Sequence, residues 1–479
     1  MREARDRSAA RGRAGGQRRI KTGVAGLDRV LRGGIPQYAV VVVAGQPGSG
    51  KTILCQQILF SNTSADRPCV YLTTLSESPM KAARYMSQFG FFDAAKFGSS
   101  IIYMDIGQII RSQGLAKSLE PIMASLRESQ PAIVVIDSFK AIHDLAPSAQ
   151  EMRSFIYDLS IEIAAMQSTS FLVGEYDEGE ISSEPEFAIA DGIIWLYADA
   201  RENRLSRYLR VLKMRGVDFS PSPHSFGISR DGIEVYTTEG LLDGPAPTYG
   251  GSVTQTGLDE LDDLLRGGIP RGAPVLVSGG AGTGKTTLCM QYIYEGATRY
   301  GEPGLYVTYE EEPAQILATA RRFGWDLQKL IDDGHLRIHY VPLPKIDAAE
   351  QVISIRDLVR GSGAKRVVID SLTMMLAHVG SPDLIRSHVY NLTTILRQAG
   401  CTGLITSDPP VGTQSISRFG VEESIIDGVI LLKLAGRDRA RTRYLEVLKL
   451  RGVNHASGDN VMKIASDGIR VYPRVEEVL

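Results

Sequence analysis

One octapeptide pattern occurs twice in this chain, and it limits the possible folds more than any other feature. Gly45-Gln46-Pro47-Gly48-Ser49-Gly50-Lys51-Thr52 and Gly279-Gly280-Ala281-Gly282-Thr283-Gly284-Lys285-Thr286 both fit G-x-x-x-x-G-K-[ST]. Each follows an apolar run, at 39–44 and 274–278, and precedes a helix-like run. That is the strand–loop–helix context of a phosphate-binding loop. Glycines let the backbone curl so that successive N–H groups face phosphate, and the following helix presents its positive end. Lys51 and Lys285 are then expected to reach the β/γ-phosphates of ATP, and Thr52 and Thr286 to hold Mg²⁺. A single copy could be a coincidental Gly-rich turn. Two copies at matching places in a repeat leave that alternative little room.

The repeat sets the domain organisation. Lys51 and Lys285 are 234 residues apart, as are Gly34 and Gly268, and the later Lys-x-Arg-Gly stretches at Lys213 and Lys449 are 236 apart. Two domains of similar length follow, at 21–240 and 253–479, each large enough for its own core. The Gly- and Pro-rich stretch 238–252 separates them, with 241–252 as the linker. Residues 1–20 read as a disordered basic arm, because the first 21 residues hold eight Arg or Lys against two acids. Such an arm suits nucleic acid or an acidic partner, or else a merely solvated tail or one extended by a mis-chosen start codon.

Between these landmarks, short runs that are apolar throughout alternate with helical ones. They fall at 69–74, 100–104, 132–137 and 171–175 in the first copy, and at 304–309, 335–341, 366–370 and 403–407 in the second. This rhythm predicts an α/β fold with a mostly parallel sheet covered by helices on both faces. Later strand-like runs at 192–197 and 207–214, matched at 428–434 and 443–450, predict antiparallel hairpins added to the sheet edge.

Composition narrows the class of protein. Apolar and charged contents of 43% and 23% are those of an ordinary globular chain, and a net charge of −2 specifies no partner. Cys55, Cys69, Cys289 and Cys401 make no C-x-x-C or zinc spacing. No apolar run approaches the ~18 residues needed to cross a bilayer, and the charged start leads to no secretory apolar core. A cytoplasmic protein without membrane contact is the expectation.

Strand-end acids are the next candidates. Asp137 and Asp370 close the runs Ile133-Val134-Val135-Ile136 and Val367-Val368-Ile369, where an acid holds the metal or caps the next helix. Hydrolysis also needs a base near the γ-phosphate. Glu77 in Leu75-Ser76-Glu77-Ser78-Pro79 and Glu310 and Glu311 in Glu310-Glu311-Glu312-Pro313 are candidates, equally readable as helix N-terminal charges.

Together with the Gly-Leu-Asp…Gly-Gly-Ile-Pro openings, these motifs resemble the KaiC family of circadian-clock ATPases, within the RecA-like superfamily of P-loop NTPases. The likeness covers residues 20–475. It implies two tandem RecA-like domains, a double-layered homohexameric ring, and ATP bound between neighbouring subunits. Glu310 and Glu311 match the family's paired catalytic glutamates. In the first copy Ser76 replaces the first of the pair, leaving Glu77. Lys213, Arg215, Lys449 and Arg451 match basic residues donated from the adjacent subunit. Alternate strand residues share a face, so each Lys/Arg pair would aim at one phosphate; the plain alternative is a basic, aggregation-resistant edge strand.

The family's phosphoacceptor pair aligns with Glu423 and Ser424. Glu423 carries a fixed negative charge, and Ser424 alone remains to accept a phosphate, unless it is an ordinary loop serine. A clock-type C-terminal tail is not expected after the last strand, which argues against a day-length oscillator. A regulatory protein partner is implied but not named. The RecA-like core also raises a DNA-handling motor, and Ser76 raises a nucleotide-gated scaffold with little hydrolysis. Against DNA in a central channel stand the acids after the fifth strand: Asp177, Glu178, Glu180, Glu184 and Glu186, then Asp408, Glu422 and Glu423 with only Arg418 opposing.

Overall fold

The computed structural model describes residues 18–74, 79–201, 204–239, 251–343, 346–413, 415–435 and 441–473. Ser76 and Glu77, most of the basic arm and most of the linker lie outside the described residues. The chain divides into two compact units, Met1–Glu239 and Gly240–Leu479.

In the first unit the strands are β1 (Val40–Gly45), β2 (Cys69–Thr73), β3 (Ile101–Asp105), β4 (Ile133–Asp137), β5 (Thr169–Glu175), β6 (Gly192–Arg201), β7 (Arg204–Met214), β8 (His224–Ser229) and β9 (Gly232–Val235). They form one sheet in the order 3-2-4-5-1-6-7-8-9. Every pairing from β3 to β6 is parallel, and every pairing from β6 onward is antiparallel. The second unit repeats this with β10 (Pro274–Gly279), β11 (Gly304–Thr308), β12 (Leu336–Tyr340), β13 (Arg366–Asp370), β14 (Thr402–Ser407), β15 (Gly428–Ala435), β16 (Thr442–Leu450), β17 (Asn460–Ala465) and β18 (Gly468–Tyr472). Its order, 12-11-13-14-10-15-16-17-18, is the same.

The apolar runs follow from burial on both faces. Along β1, Val41 and Val43 pack into one core cluster while Val40, Val42 and Ala44 pack into another on the opposite face. In β10, Val275 and Val277 face one core and Leu276 the other. A strand covered by helices on both sides has no place for a polar side chain, so alternation vanishes from the sequence. Two tandem RecA-like domains are the architecture observed.

Two details depart from the sequence reading. The closing strands β8–β9 and β17–β18 extend each sheet beyond the expected hairpin. Arg19 and Ile20, assigned above to the disordered arm, form a two-residue strand paired with Ile35 and Pro36. Gly33 and Gly34, at φ 131° and 118°, turn the chain back after the short helix Leu27–Val30 to make that pairing. A Cβ on Gly34 would sit 2.2 Å from the carbonyl oxygen of Ile20.

Candidate functional site

Each phosphate loop lies at the C-terminal end of the strand where the sheet's order reverses, β1 or β10, and opens into a helix: α1 (Lys51–Asn62) and α2 (Lys285–Arg299). The glycines have separate physical reasons. Gly48 and Gly282, at φ 71° and 76°, face open space where a phosphate group would lie. Gly45 and Gly279 pass so close to β6 and β15 that a Cβ would meet the carbonyl oxygens of Leu196 at 1.9 Å and Leu432 at 2.6 Å. Gly50 and Gly284 adopt left-handed N-cap conformations against Ile228 and Ile464.

The loop side chains point inward. Lys51 Nζ donates to the carbonyls of Gly45 (3.0 Å) and Gln46 (2.8 Å), and Lys285 Nζ to those of Gly279 (2.8 Å) and Gly280 (3.3 Å). Burial pulls the Lys51 ammonium below its usual pKa, opposed by the charges of Glu175 and Asp137. Lys285 is further paired with Asp408 at 2.6 Å. Ser49 is buried with its hydroxyl unpartnered, whereas Thr283 donates to Gly280 at 2.8 Å.

Thr52 and Asp137, 85 residues apart, meet at 2.7 Å, and Thr286 and Asp370 at 3.0 Å. Both pairs join hydroxyl and carboxylate oxygens, the hard donors Mg²⁺ prefers. A tyrosine from the neighbouring strand also binds each acid: Tyr71 at 2.5 Å and Tyr306 at 2.8 Å. Thr406 adds a third bond to Asp370, at 2.6 Å. The open glycine face, the orphaned Ser49 hydroxyl and these oxygen pairs fit a nucleotide polyphosphate with Mg²⁺.

In the second unit Glu310 is exposed and accepts a hydrogen bond from Ser371 Oγ at 2.7 Å. Glu311 is half-buried, and that burial, with the charges of Asp370 and Glu310, raises its carboxyl above the ordinary value.

The strands β7 and β16 end at Met214 and Leu450, so Lys213 and Lys449 stand on the strand while Arg215 and Arg451 lie in the turn beyond it. Strand alternation therefore does not aim these pairs. They converge through the turn instead. Lys449 Nζ donates to the carbonyls of Glu423 and Ile426, both at 2.8 Å, and Arg451 reaches Asp427 (3.2 Å) and the carbonyl of Ser424 (2.9 Å). Arg215 makes the corresponding 3.3 Å contact with Asp191. Burial, then the neighbouring arginine, lowers the pKa of both Lys213 and Lys449. Lys449 sits across β15 from Leu276 on β10, three residues before the phosphate loop begins. That places it about 10 Å along the strands from its own loop.

Ser424 is exposed on the short helix Glu422–Ile425, its hydroxyl on the carbonyl of Val421. Two acids counted above as channel charges are in fact interior: Glu186 and Glu422 are both fully buried. Each lies in the first turn of a short helix that folds its carboxylate inward, a placement that charge counting does not detect.

Three participants escaped the sequence reading. Asp408 and Glu175, just beyond or at the end of the fifth strand, face the phosphate-loop lysines. Arg443 on β16 donates from Nε to the carbonyl of Gly282 at 3.1 Å. The acids' place beside the strand carrying the phosphate loop was the one signal available; Arg443 had none.

A phosphate loop ending in a hydroxyl, set against the acid of a strand two places away, defines a P-loop ATPase domain, present here twice. The family described as "ATPase: KaiC" matches residues 20–240 and again 254–476. The chain belongs to the KaiC ATPase family. Among curated relatives it is similar to the circadian clock oscillator protein KaiC of Parathermosynechococcus lividus, 39% identical over 227 residues, covering 46% of this chain and 42% of the relative. KaiC 1 of Synechocystis sp. is 37% identical over 235 residues (47% and 45%), and KaiC of Synechococcus elongatus 37% over 227 (46% and 44%). The chain thus spans about half the length of the curated relatives it matches. No helix among the described residues is long and apolar enough to cross a membrane.

Proposed function

We propose that this chain is a cytoplasmic ATP hydrolase with two nucleotide sites, working as a nucleotide-dependent ring, a homohexamer on the family pattern, whose state is read by a regulatory protein. The observation that carries this reading is the paired approach of Thr52 to Asp137 and Thr286 to Asp370 beside an intact phosphate loop. ATP with Mg²⁺ supplies the phosphoanhydride to be cleaved. Lys51 and Lys285 exchange backbone carbonyls for phosphate oxygens, a stronger charge-assisted contact. Glu311, its carboxyl raised above the ordinary value by burial and by the charges of Asp370 and Glu310, takes the proton of the attacking water, while Ser371 holds Glu310 beside it.

The curated relatives are named as clock oscillator proteins, and a signalling role for this chain is taken from them. Ser424 is the proposed phosphoacceptor: it is exposed, and Arg451 lies on its carbonyl. A DNA-handling motor is disfavoured. Asp177, Glu178, Glu180 and Glu184 still surround the fifth-strand loop, although Glu186 and Glu422 no longer count.

Lys449 and Arg451 lie away from their own phosphate loop, which favours their serving a neighbour's. Light scattering is expected to show a ring with ATP and Mg²⁺ and smaller species without; a monomer in both conditions would sink the assembly. Mixing Arg451→Ala chains with Glu311→Gln chains is then expected to recover part of the turnover that each has lost alone. Mixtures no more active than their components would place Arg451 outside the neighbour's site.

A further inference from the structure

The loops beside the first nucleotide site hold a second group of side chains that the ATPase reading leaves unused. His143 stands on the 3₁₀ turn Lys140–Leu145 after β4, and Glu184 and Glu186 stand at the start of the helix Pro185–Ile189 after β5. Nε2 of His143 lies 3.2 Å from Oε1 of Glu186, and Nδ1 lies 3.6 Å from Oε2 of Glu184. One ligand atom from each of the three falls within 4.8 Å of the others.

Glu186 is fully buried, with Oε1 accepting the Tyr176 hydroxyl and Oε2 without any hydrogen-bond partner. Nε2 of His143 approaches Oε1 of Glu186, the oxygen that already accepts from Tyr176. Oε2 of this buried carboxylate is left without a donor, which costs free energy unless something answers it.

The second copy supplies an internal comparison. Asp191 and Asp427 hold the same place, each donating its N–H to the first sheet strand (Val40 or Pro274) and accepting from Arg215 or Arg451. Five residues earlier stand Glu186 and Glu422, both fully buried. Glu422 is satisfied within its own loop by the Ser417 hydroxyl (2.7 Å), Phe419 N–H (3.2 Å) and Val421 N–H (3.1 Å). The residue six after the strand-end acid is Leu376 there, against His143 in the first copy. One buried carboxylate is thus closed by neutral donors, and the other faces an imidazole and a second carboxylate.

We propose that His143, Glu184 and Glu186 bind one divalent transition-metal ion of the zinc class, with water completing the coordination. One imidazole and two carboxylates are an N/O donor set that suits zinc, and two negative charges balance the ion. With metal–ligand bonds of about 2.1 Å, a tetrahedral edge is about 3.4 Å, close to the 3.2 Å between Nε2 of His143 and Oε1 of Glu186; since an imidazole gives one ion a single nitrogen, Glu184 must swing from Nδ1 to join them, and one atom of each residue already lies within 4.8 Å of the others. The side chains of Glu184 and His143 are 29% and 24% exposed, leaving an entry path. Lys140, the nearby cation, is engaged by Glu180 at 2.7 and 2.9 Å. Tyr176 serves as an outer-shell donor to Glu186.

The full chain should be dialysed against Zn²⁺ in excess Mg²⁺, which fills the phosphate-loop sites, and its zinc content measured. One Zn²⁺ per chain is expected. His143→Gln and Glu184→Gln should each weaken it by at least about 100-fold, since even outer-shell changes cost 10- to 100-fold. Asp137→Asn should retain the zinc, separating this site from the nucleotide's. Cobalt substitution adds a spectroscopic readout: its visible bands should be lost in His143→Gln. Glu184 is partly exposed, so Glu184→Gln remains a test if the buried variants fail to fold, with circular dichroism checking the fold. No zinc bound by the wild-type chain, or equal zinc in Glu184→Gln and wild type, would overturn the proposal.

Discussion

Glu311→Gln is expected to lower ATP turnover at the second site by about 10²- to 10⁴-fold, the range for loss of a general base, with nucleotide binding kept. The amide cannot take a proton but fills the same space. Glu77→Gln is expected to remove little of the chain's total turnover, because the first copy has Ser76 where the second has Glu310. Steady-state hydrolysis by the two variants in otherwise intact assemblies checks this. Equal losses, or a larger loss from Glu77→Gln, would reverse the assignment of the dominant layer.

The pH profile is a second readout of the same assignment. The Glu311 carboxyl is raised by burial and by the charges of Asp370 and Glu310. Its base form is present above that raised pKa and is lost as pH falls through it. Removing the Glu310 charge lowers the Glu311 pKa, so the acid limb of residual turnover in Glu310→Gln should move to lower pH. An unmoved limb would detach Glu311 from the rate.

Lys285→Ala is expected to abolish nucleotide binding in the second unit and Lys51→Ala in the first, each leaving one nucleotide per chain. The reason is local. Each lysine is the ammonium drawn into its loop, within 2.8 Å of a loop carbonyl, and alanine offers the phosphates no charge. Asp408 sharpens the second case: in Lys285→Ala its carboxylate, formerly paired at 2.6 Å, is left to repel phosphate. Counting bound nucleotide in the two variants decides the matter. Two nucleotides retained by either variant would remove that lysine from its site.

Much of the architecture was legible because it is written in local patterns. The phosphate loops need glycines and a lysine within eight consecutive residues. The central strands are apolar throughout because helices cover both faces, and β4 and β13 fall within a residue of the runs that announced them. The closing strands were less visible. Ser229 in β8 and Lys463 in β17 are exposed, and His224, Ser225 and Asn460 are polar although buried, so the apolar signal is diluted near the sheet edge.

The sequence alone determined the tandem repeat, the fold class and the residue types offered to a nucleotide. Tertiary structure alone decided which of those residues meet. Tyr71 and Asp137 are 66 positions apart, and Arg443 and Gly282 are 161 apart, yet strand order makes them neighbours. Strands that end at Met214 and Leu450, one residue short of Arg215 and Arg451, replaced simple strand alternation. Burial turned Glu186 and Glu422 from apparent surface charges into interior groups with opposite needs, one satisfied by neutral donors and one left facing His143. Composition counts a charge wherever it stands; only the packing around a carboxylate determines whether water, a backbone N–H or a cation must answer it.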